Sequence, residues 1–384
     1  MLRSRWIMLA LLFWIRLAMG FQFQSVASIA TPLAQVLGFS AAAIGALIGL
    51  YIFPGFLAAL PGGAVAARLP DRLSASLGLA VMALGAAVMA MAPSYGVLAA
   101  GRLGAGIGYA LFTLVITKMV AEWFEGREML TAMGVMLAAW PCGIASGLAI
   151  QPALAEAQGW PAAQWAVAAL CLVDAALAAL LYRAPAARRP GQATARSWPD
   201  RREAALVLLA SLAWGGLNIG LIVFFSFAPR LLESQGFTTT AASGLVGIGL
   251  WVSTAAVLVG GALAERLRHP MLAAALWTAM GGIALLLLTA GQAPAWLSAA
   301  IGLSIGIPAA VMIALPAQLV RPDRLAISLG IFYAAYFAQM TVAPLIAGAA
   351  ADWVGSPVGA IWVGGAAFLA GAAIIAGFPR SRRA

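Results

Sequence analysis

The first apolar stretch of the chain contains an arginine, a side chain well suited to hold an anion. Arg16 lies about ten residues into a helix that we predict to begin near Trp6, roughly 15 Å from its start and near the middle of a bilayer. An arginine at that depth costs at least about 2.5–3.5 kcal/mol, so we expect it to face a cavity or a partner. Helical steps of four predict a polar stripe through Gly20, Gln24 and Ser28. The alternative is an arginine that snorkels to the nearer surface or forms a structural pair.

A second arginine heads a similar stripe further along the chain. Arg102 lies in the predicted fourth helix, and Gly106, Tyr109, Thr113 and Thr117 follow it on one face. Arg102 is either a second charge in a central cavity or a structural arginine that donates hydrogen bonds to backbone carbonyls near the first helix. The two roles are compatible, and both stay open.

One acidic residue is predicted to lie inside a span. Asp174 precedes the end of the predicted sixth helix by eight residues, roughly 12 Å. One interpretation is an ion pair with Lys118 or with an arginine of the linker described below. The other is a possible proton site, because ionisable groups inside membrane spans often serve transport.

The second half of the chain offers neutral polar groups instead of charges inside its predicted spans. Asn218 lies in the seventh helix, and Tyr333, Tyr336 and Gln339 lie in the eleventh. Tyr333 and Tyr336 are three residues apart, so they are neighbours on one face. These side chains either contact a ligand or pack ordinary helix pairs with satisfied hydrogen bonds. Trp214 and Trp251 are candidate walls or gates.

Motifs for enzymatic chemistry do not emerge from the sequence. Cys142 and Cys171 fall inside apolar segments, so no disulfide framework or metal spacing is indicated. The single histidine, His269, belongs to a predicted turn. We therefore predict a protein that is not an enzyme and that uses no cofactor and no metal.

The elements that must position these residues follow from composition. The chain of 384 residues is 64% hydrophobic and only 9% charged, whereas a soluble domain has about a quarter of its residues charged. The bilayer is therefore the expected solvent, and spans of about 20 residues are the expected element. We predict an all-α membrane protein with twelve helices at residues 6–33, 41–66, 73–92, 95–119, 128–153, 160–182, 204–229, 239–263, 270–290, 294–319, 325–350 and 357–378.

Arginines mark one side of this topology. They include Arg3, Arg5, Arg68, Arg72, Arg127, Arg266, Arg268, Arg321, Arg324, Arg380, Arg382 and Arg383, with six more between residues 183 and 202. The opposite loops carry Glu156, Glu233 and Asp352. The positive-inside rule then places both termini in the cytoplasm. The net charge of +10 is mostly topological, so no nucleic-acid partner is expected.

An internal repeat divides the chain into halves. Residues 62–69 return at 260–267 with six of eight positions identical, and Gly38-Phe39-Ser40 is echoed by Gly236-Phe237-Thr238. A Pro-, Gly- and Arg-rich stretch separates the copies, and its composition is typical of a linker. We predict two pseudo-symmetric six-helix bundles, at residues 1–182 and 204–384, joined by a cytoplasmic linker at 183–203.

These features together resemble the major facilitator superfamily. The family's first cytoplasmic signature, a glycine followed by an Asp-Arg pair, is approached by Gly62-Gly63 and Arg68, although Ala67 stands where the acid is expected. The second copy keeps the acid as Glu265 before Arg266. The resemblance implies a gating role for Arg68, Glu265 and Arg266. The missing acid at Ala67 predicts a resting preference for the inward-open state.

Two further motifs resemble the same superfamily. Arg102 with Gly106 and Gly108 is similar to its helix 4 signature, and Pro141 with Gly143 is similar to a helix 5 motif of antiporters. The resemblance implies alternating access about a cavity lined by helices 1, 4, 7 and 10. Among its members, the small bacterial anion porters of the cyanate, nitrate and oxalate/formate type are nearest in character.

Two candidate cavity arginines without a clear cavity acid favour an anionic substrate. We therefore expect a monomeric transporter of a small organic or inorganic anion in the bacterial inner membrane, by antiport or facilitated diffusion. The predicted substrate-binding residues are Arg16, Gln24, Arg102, Tyr109, Asn218, Tyr333, Tyr336 and Gln339. The alternatives are an efflux carrier for apolar or cationic compounds, which would need a cavity acid, and a membrane enzyme or receptor.

Overall fold

The computed structural model describes residues 4–59, 70–124, 128–185 and 197–378. Within these ranges all regular secondary structure is helical, and twelve helices are long and apolar enough to cross a membrane. The prediction of an all-α membrane protein with twelve spans is confirmed. The helices are α1 (Arg5–Gln24), α2 (Ala41–Ala58), α3 (Asp71–Ala90), α4 (Tyr95–Trp123), α5 (Met129–Gln158), α6 (Trp160–Leu181), α7 (Arg201–Ser234), α8 (Thr239–Arg266), α9 (Pro270–Leu287), α10 (Pro294–Leu319), α11 (Leu325–Val354) and α12 (Val358–Ala376).

The sequence repeat is also a structural repeat at the start of α2 and α8. Gly38 and Gly236 adopt positive φ angles of 68° and 96°, a conformation that glycine reaches without strain. Two residues later, the hydroxyls of Ser40 and Thr238 each accept a hydrogen bond of 3.2 Å from the backbone N–H three positions on. The two halves therefore cap equivalent helices with the same chemistry.

Besides α2, in which the regular helix stops at Leu50 and resumes at Phe53, two spans are interrupted where the sequence predicts continuous helix. The first predicted helix, 6–33, ends as regular α-helix at Gln24, and a 3₁₀ turn (Ala27–Ile29) leads into a short helix (Ala30–Leu37). In α10 the regular helix stops at Leu303 and resumes at Gly306. Pro308 explains the second break, because it has no N–H to donate to the carbonyl of Ser304 four residues earlier.

Close helix contacts between the two halves run along α2 and α11. A Cβ atom added to Gly45 would lie 2.0 Å from the Pro344 carbonyl oxygen, and one added to Gly49 would lie 2.0 Å from that of Thr341. Small residues at this spacing let backbones approach closely, and packing of this kind is what associates helices in lipid. The halves thus share a tight seam along these two helices.

The end of the linker is attached to the second half of the chain. The backbone N–H of Ser197 donates to the Asp323 carbonyl at 3.3 Å, and the Arg324 guanidinium contacts Asp200 at 3.1 Å and Glu203 at 2.7 Å. The Glu203 backbone N–H donates to the Asp200 carboxylate at 2.9 Å and lowers the pKa of that group. This capping box fixes the start of α7. The division at residues 1–182, 183–203 and 204–384 stays a prediction.

Candidate functional site

Arg16 is a buried guanidinium with two free donor nitrogens. It lies in the second half of α1 with 9% of its surface exposed, and its Nε and Nη1 atoms have no hydrogen-bond partner among the residues that the structure describes. The groups that interact with its charge are the phenols of Tyr109 on α4 and Tyr333 on α11. Because α11 belongs to the second half of the chain, Arg16 lies where the halves meet. Guanidinium N–H groups without a protein partner are donors that a ligand oxygen would satisfy.

Four aromatic side chains of the first half pack together around Tyr109, which interacts with this guanidinium, and we call them the N-terminal wall: Phe23, Tyr51, Tyr109 and Trp140. The Tyr109 ring centroid lies 4.8 Å from that of Tyr51 and 5.7 Å from that of Trp140, which is 5.3 Å from Phe23. Tyr51 donates its hydroxyl hydrogen to the Met19 carbonyl at 3.2 Å. The wall is therefore mostly aromatic surface, and the polar tip of Tyr51 already has a partner.

The second half contributes a facing C-terminal wall: Trp214, Asn218, Tyr333, Tyr336 and Phe337. Tyr336 lies 6.3 Å from Trp214 and 5.4 Å from Phe337 between ring centroids. Its hydroxyl donates to Asn218 Oδ1 at 3.5 Å, while Asn218 Nδ2 donates to the Trp214 carbonyl at 2.8 Å. Tyr336 interacts electrostatically with Tyr109, so the two walls approach each other. Two predicted residues outside α1, Tyr109 and Tyr333, thus lie near Arg16, and Tyr336 and Asn218 adjoin them.

Arg102 has a different environment, although the sequence places it at a comparable depth. It is fully buried, and its three nitrogens donate to the backbone carbonyls of Leu47 at 3.1 Å, Gln22 at 2.8 Å and Phe23 at 2.6 Å. Nη1 also lies 3.4 Å from Ser25 Oγ. All nitrogens of Arg102 are in use, so the structure favours the structural role over the cavity role.

These bonds also account for the interruption of α1. The carbonyls of Gln22 and Phe23 accept from Arg102, and the carbonyl of Ser25 accepts from Gln164 Nε2 at 3.3 Å. Carbonyls at a helix end need such partners once the i to i+4 ladder stops. Side chains from α4 and α6 therefore hold the break that divides the first span.

Two predicted contact residues, Gln24 and Gln339, use their donors on backbone. Gln24 Nε2 donates to the Phe225 carbonyl of α7 at 3.2 Å, a bond between the two halves. Gln339 Nε2 donates to the carbonyls of Ser211 at 3.2 Å and Ala335 at 3.1 Å. Both act as helix-packing groups in this conformation, which is the ordinary role that the sequence allows for Gln339.

The polar stripe predicted on α1 is not open beyond Arg16. A Cβ atom added to Gly20 would lie 2.3 Å from the Trp140 carbonyl oxygen, and Gly147 of α5 packs against the side chain of Gln24. Helix α5 therefore covers the part of this face that contains Gly20 and Gln24.

The predicted ion pair between Asp174 and Lys118 is wrong. Lys118 Nζ lies 2.6 Å from Asp71 Oδ1 instead. Asp174 is fully buried, and Trp14 lies beside it, yet neither carboxylate oxygen accepts a hydrogen bond of acceptable geometry. Trp14 is two residues before Arg16, so it points about 200° away around the helix. Asp174 therefore faces the opposite side of α1 from the central site.

One end of the molecule is closed by hydrogen bonds between the halves. We call it the acidic end, after Glu156, Glu233 and Asp352. The bonds run from Thr31 to Glu233 at 2.7 Å, from Thr240 to Glu156 at 3.1 Å, and from the backbone N–H groups of Ala41 and Ala42 to Asp352 at 2.8 Å each. A carboxylate on a helix N-terminus is a favourable pair, because the free N–H groups and the helix dipole both attract negative charge.

The opposite, arginine-rich end contains a cavity of about 1220 Å³. Segments of α5, α8, α9, α10 and α12 line it, and its polar side chains include Thr131, Glu265, Arg268 and Gln318. Of the predicted gating residues, Glu265 lines this cavity and Arg266 ends α8, whereas Arg68 lies outside the described residues. The gating role of all three stays a prediction.

Three members of the N-terminal wall, Phe23, Tyr51 and Trp140, are not among the residues that the sequence predicts for the site. Tyr51 and Trp140 lie inside α2 and α5, away from the membrane interfaces where tryptophan and tyrosine gather. The sequence signal that could have identified them is an aromatic residue with a polar tip in the middle of a span. Trp140 directly precedes Pro141, but the helix 5 motif comprises Pro141 and Gly143 and does not include Trp140.

Two bundles that meet around Arg16, with hydrogen bonds across one end and a cavity at the other, form the architecture of a secondary transporter. The particular family follows from comparison. The chain belongs to the Major Facilitator Superfamily, whose family model matches residues 12–310. It is therefore a multi-pass membrane transporter and not an enzyme.

The similar proteins have names that describe different functions. A region of 126 residues, 33% of this chain and 28% of the relative, is 32% identical to the probable L-galactonate transporter of Escherichia coli K12. A region of 250 residues, 63% of this chain and 60% of the relative, is 30% identical to the chloramphenicol resistance protein of Streptomyces lividans. The matches thus span less than two thirds of either relative.

A solved structure shares the fold over nearly the full length. It is the crystal structure of a bacterial homolog of the human lysosomal transporter Spinster, in an inward-facing and occupied conformation. The TM-score is 0.74, with 18% sequence identity over 97% of this chain and 94% of the other.

Proposed function

We propose that this transporter moves a small organic or inorganic anion across the bacterial inner membrane by alternating access. The observation that carries the proposal is Arg16, a buried guanidinium with free nitrogens at the meeting point of the two halves. An unpaired charge in a low-dielectric site is costly, and a bound anion offsets that cost through charge-assisted hydrogen bonds. Guanidinium suits carboxylates and other oxyanions because its donors form a planar fork.

Both termini are proposed to lie in the cytoplasm, so the acidic end faces the periplasm. Arg68, Glu265 and Arg266 are then the candidate gate on the cytoplasmic side. The Thr31–Glu233 and Asp352–α2 contacts form the periplasmic closure. Rocking of the two halves about Arg16 opens the periplasmic closure while the cytoplasmic gate closes. Such a motion is expected for a monomer with two pseudo-symmetric bundles.

The test is uptake by proteoliposomes of radiolabelled oxalate, nitrate, gluconate and benzenesulfonate. We expect Arg16→Ala to reduce uptake of the transported anion on the order of 10- to 100-fold, the equivalent of one charge-assisted hydrogen bond or more. Arg16→Lys is also impaired, because a point charge does not replace the fork. Arg5→Ala is the matched control, because it removes an arginine from the same helix at a surface pair with Glu128.

A second candidate is efflux of apolar or cationic compounds. The aromatic walls favour it, since flat rings hold such molecules well. The same vesicles loaded with ethidium or chloramphenicol distinguish the two. Export of either compound that Arg16→Ala leaves unchanged, without uptake of any anion, would replace the anion proposal.

A further inference from the structure

We infer that the central site accepts a monoanion with a planar, apolar ring, such as an aryl carboxylate or aryl sulfonate. The inference rests on the proposed function and names the substrate class of the same site. It depends on three separate observations: the number of free charges, the shape of the walls and the supply of free polar atoms.

The charge count points to a single negative charge. Arg102, the other arginine that the sequence offered for the cavity, donates from all three nitrogens to backbone carbonyls. Within the described ranges of the chain, this leaves Arg16 as the guanidinium with free donors between the walls. A second negative charge on the substrate would therefore be desolvated without a partner, which is strongly unfavourable.

The walls are flat and apolar. Tyr109 and Trp140 present rings from one half, and Trp214, Tyr333 and Tyr336 present rings from the other. Rings prefer stacked or edge-to-face neighbours, and each such pair adds to the burial of apolar area. An aryl ring attached to the anionic group would lie between the two walls while Arg16 holds the charge.

Some polar atoms of the walls already have partners. Asn218 bonds the Trp214 carbonyl and the Tyr336 hydroxyl, and Tyr51 bonds the Met19 carbonyl. A polyhydroxylated acid would bring several hydroxyl groups between walls that are made mostly of aromatic rings. Sites discriminate strongly against ligands whose buried polar groups stay unpaired.

The decisive experiment uses four ligands that separate charge from ring. Benzenesulfonate has one charge and a ring, benzenesulfonamide has the ring without the charge, gluconate has the charge with hydroxyls, and phthalate has the ring with two charges. Isothermal titration of the purified full chain in detergent gives affinities, and vesicle uptake uses labelled benzenesulfonate, which stays ionised and does not cross lipid unaided. We expect benzenesulfonate to bind on the order of tenfold or more tightly than each of the other three.

Two side-chain changes test the walls directly. Trp140→Leu and Tyr336→Leu keep Arg16 and remove one ring each, so affinity for benzenesulfonate is expected to fall several-fold, as for loss of one aromatic pair. Tyr336→Phe keeps the ring and is expected to retain most of the affinity. Trp296→Leu is the control, because Trp296 is 80% exposed at the start of α10.

The outcomes separate this inference from the proposed function. Gluconate or phthalate binding that depends on Arg16 and exceeds benzenesulfonate binding overturns the aryl monoanion and leaves anion transport standing. Equal binding of benzenesulfonate and benzenesulfonamide overturns the role of Arg16, and with it both proposals. Unchanged affinity in Trp140→Leu and Tyr336→Leu overturns the stacking between the walls.

Discussion

The two buried arginines of the first half, Arg16 and Arg102, form a natural comparison. Both stand in apolar helices and both head a stripe of small and polar residues. Arg102 bonds three carbonyls from two helices, and its guanidinium lies 4.6 Å from the Tyr51 ring centroid. Arg16 keeps two nitrogens without partners. The difference teaches that depth in a membrane does not identify a functional charge; the fate of its hydrogen-bond donors does.

The largest effect is expected from Arg102→Leu. It leaves the carbonyls of Leu47, Gln22 and Phe23 unpaired and buried, at a cost of about 1–3 kcal/mol each. The break in α1 then loses its support, so we expect severe loss of folded protein. The measurement is the melting temperature in detergent, taken as the temperature at which the buried thiol of Cys171 starts to react with a maleimide dye. A Cys142→Ser background removes the other thiol. Melting at the temperature of the parent protein would show that these bonds contribute little.

Arg16→Leu is not expected to lower the melting temperature in the same assay, in contrast to Arg102→Leu. The substitution removes an unpaired buried charge whose presence costs at least about 2.5–3.5 kcal/mol, so the melting temperature without ligand stays equal or rises. Transport is lost together with the charge, a trade of activity against stability that functional sites commonly show. A drop in melting temperature as large as that of Arg102→Leu would mean that Arg16 also has a structural role.

Helix positions could be predicted well, because they depend on local chemistry. Gly38 and Gly236 end one helix, and Ser40 and Thr238 begin the next, at the positions where the sequence marks the breaks. Residues 21–31 contain neither glycine nor proline, so the end of α1 at Gln24 was not foreseeable. It depends on Arg102 and Gln164, which come from other helices.

The candidate site was predictable only in part, for a related reason. Periodicity assigns Gln24 and Gln339 to a face but does not say which helix covers it, and both bond backbone carbonyls of neighbouring helices. Tyr333 and Tyr336 were identified because they lie three residues apart on one face. Trp140 was not, because an isolated aromatic residue in an apolar helix resembles ordinary packing until its neighbours are known.

A smaller effect sharpens the comparison at the acidic end. Asp352→Ala removes the acceptor for two N–H groups of α2, which lie across the seam from it. The loss of such a helix cap costs about 1 kcal/mol. The population in which this end is open should therefore rise by about fivefold. Accessibility of Asn218→Cys to an impermeant thiol reagent, in a background without other cysteines, measures the shift.

The matched control for this closure is Ser40→Ala. It removes the 3.2 Å cap bond to Ala43 at the same helix start, but that bond lies within one half. Equal shifts in accessibility for Ser40→Ala and Asp352→Ala would mean that Asp352 stabilises α2 and does not hold the halves together.

The smallest effect is expected from Asp174→Asn. Asp174 is buried against the Trp14 side of α1, about 200° around that helix from Arg16, so it is not placed to receive a proton in step with substrate binding. Its oxygens accept no hydrogen bond of acceptable geometry within the described ranges, and the amide has nearly the same shape, so little packing is lost. Transport by anion exchange or facilitated diffusion should then persist within about twofold, inside the range of ordinary effects of single substitutions.

Benzenesulfonate is the suitable probe, because it does not carry a proton itself and so does not imitate proton symport. Internal counter-anion should stimulate its uptake, or uptake should follow its own gradient, with the same rates in the variant. Uphill uptake driven by an imposed pH gradient, and lost in Asp174→Asn, would instead make Asp174 the proton site and would place a second functional charge behind α1.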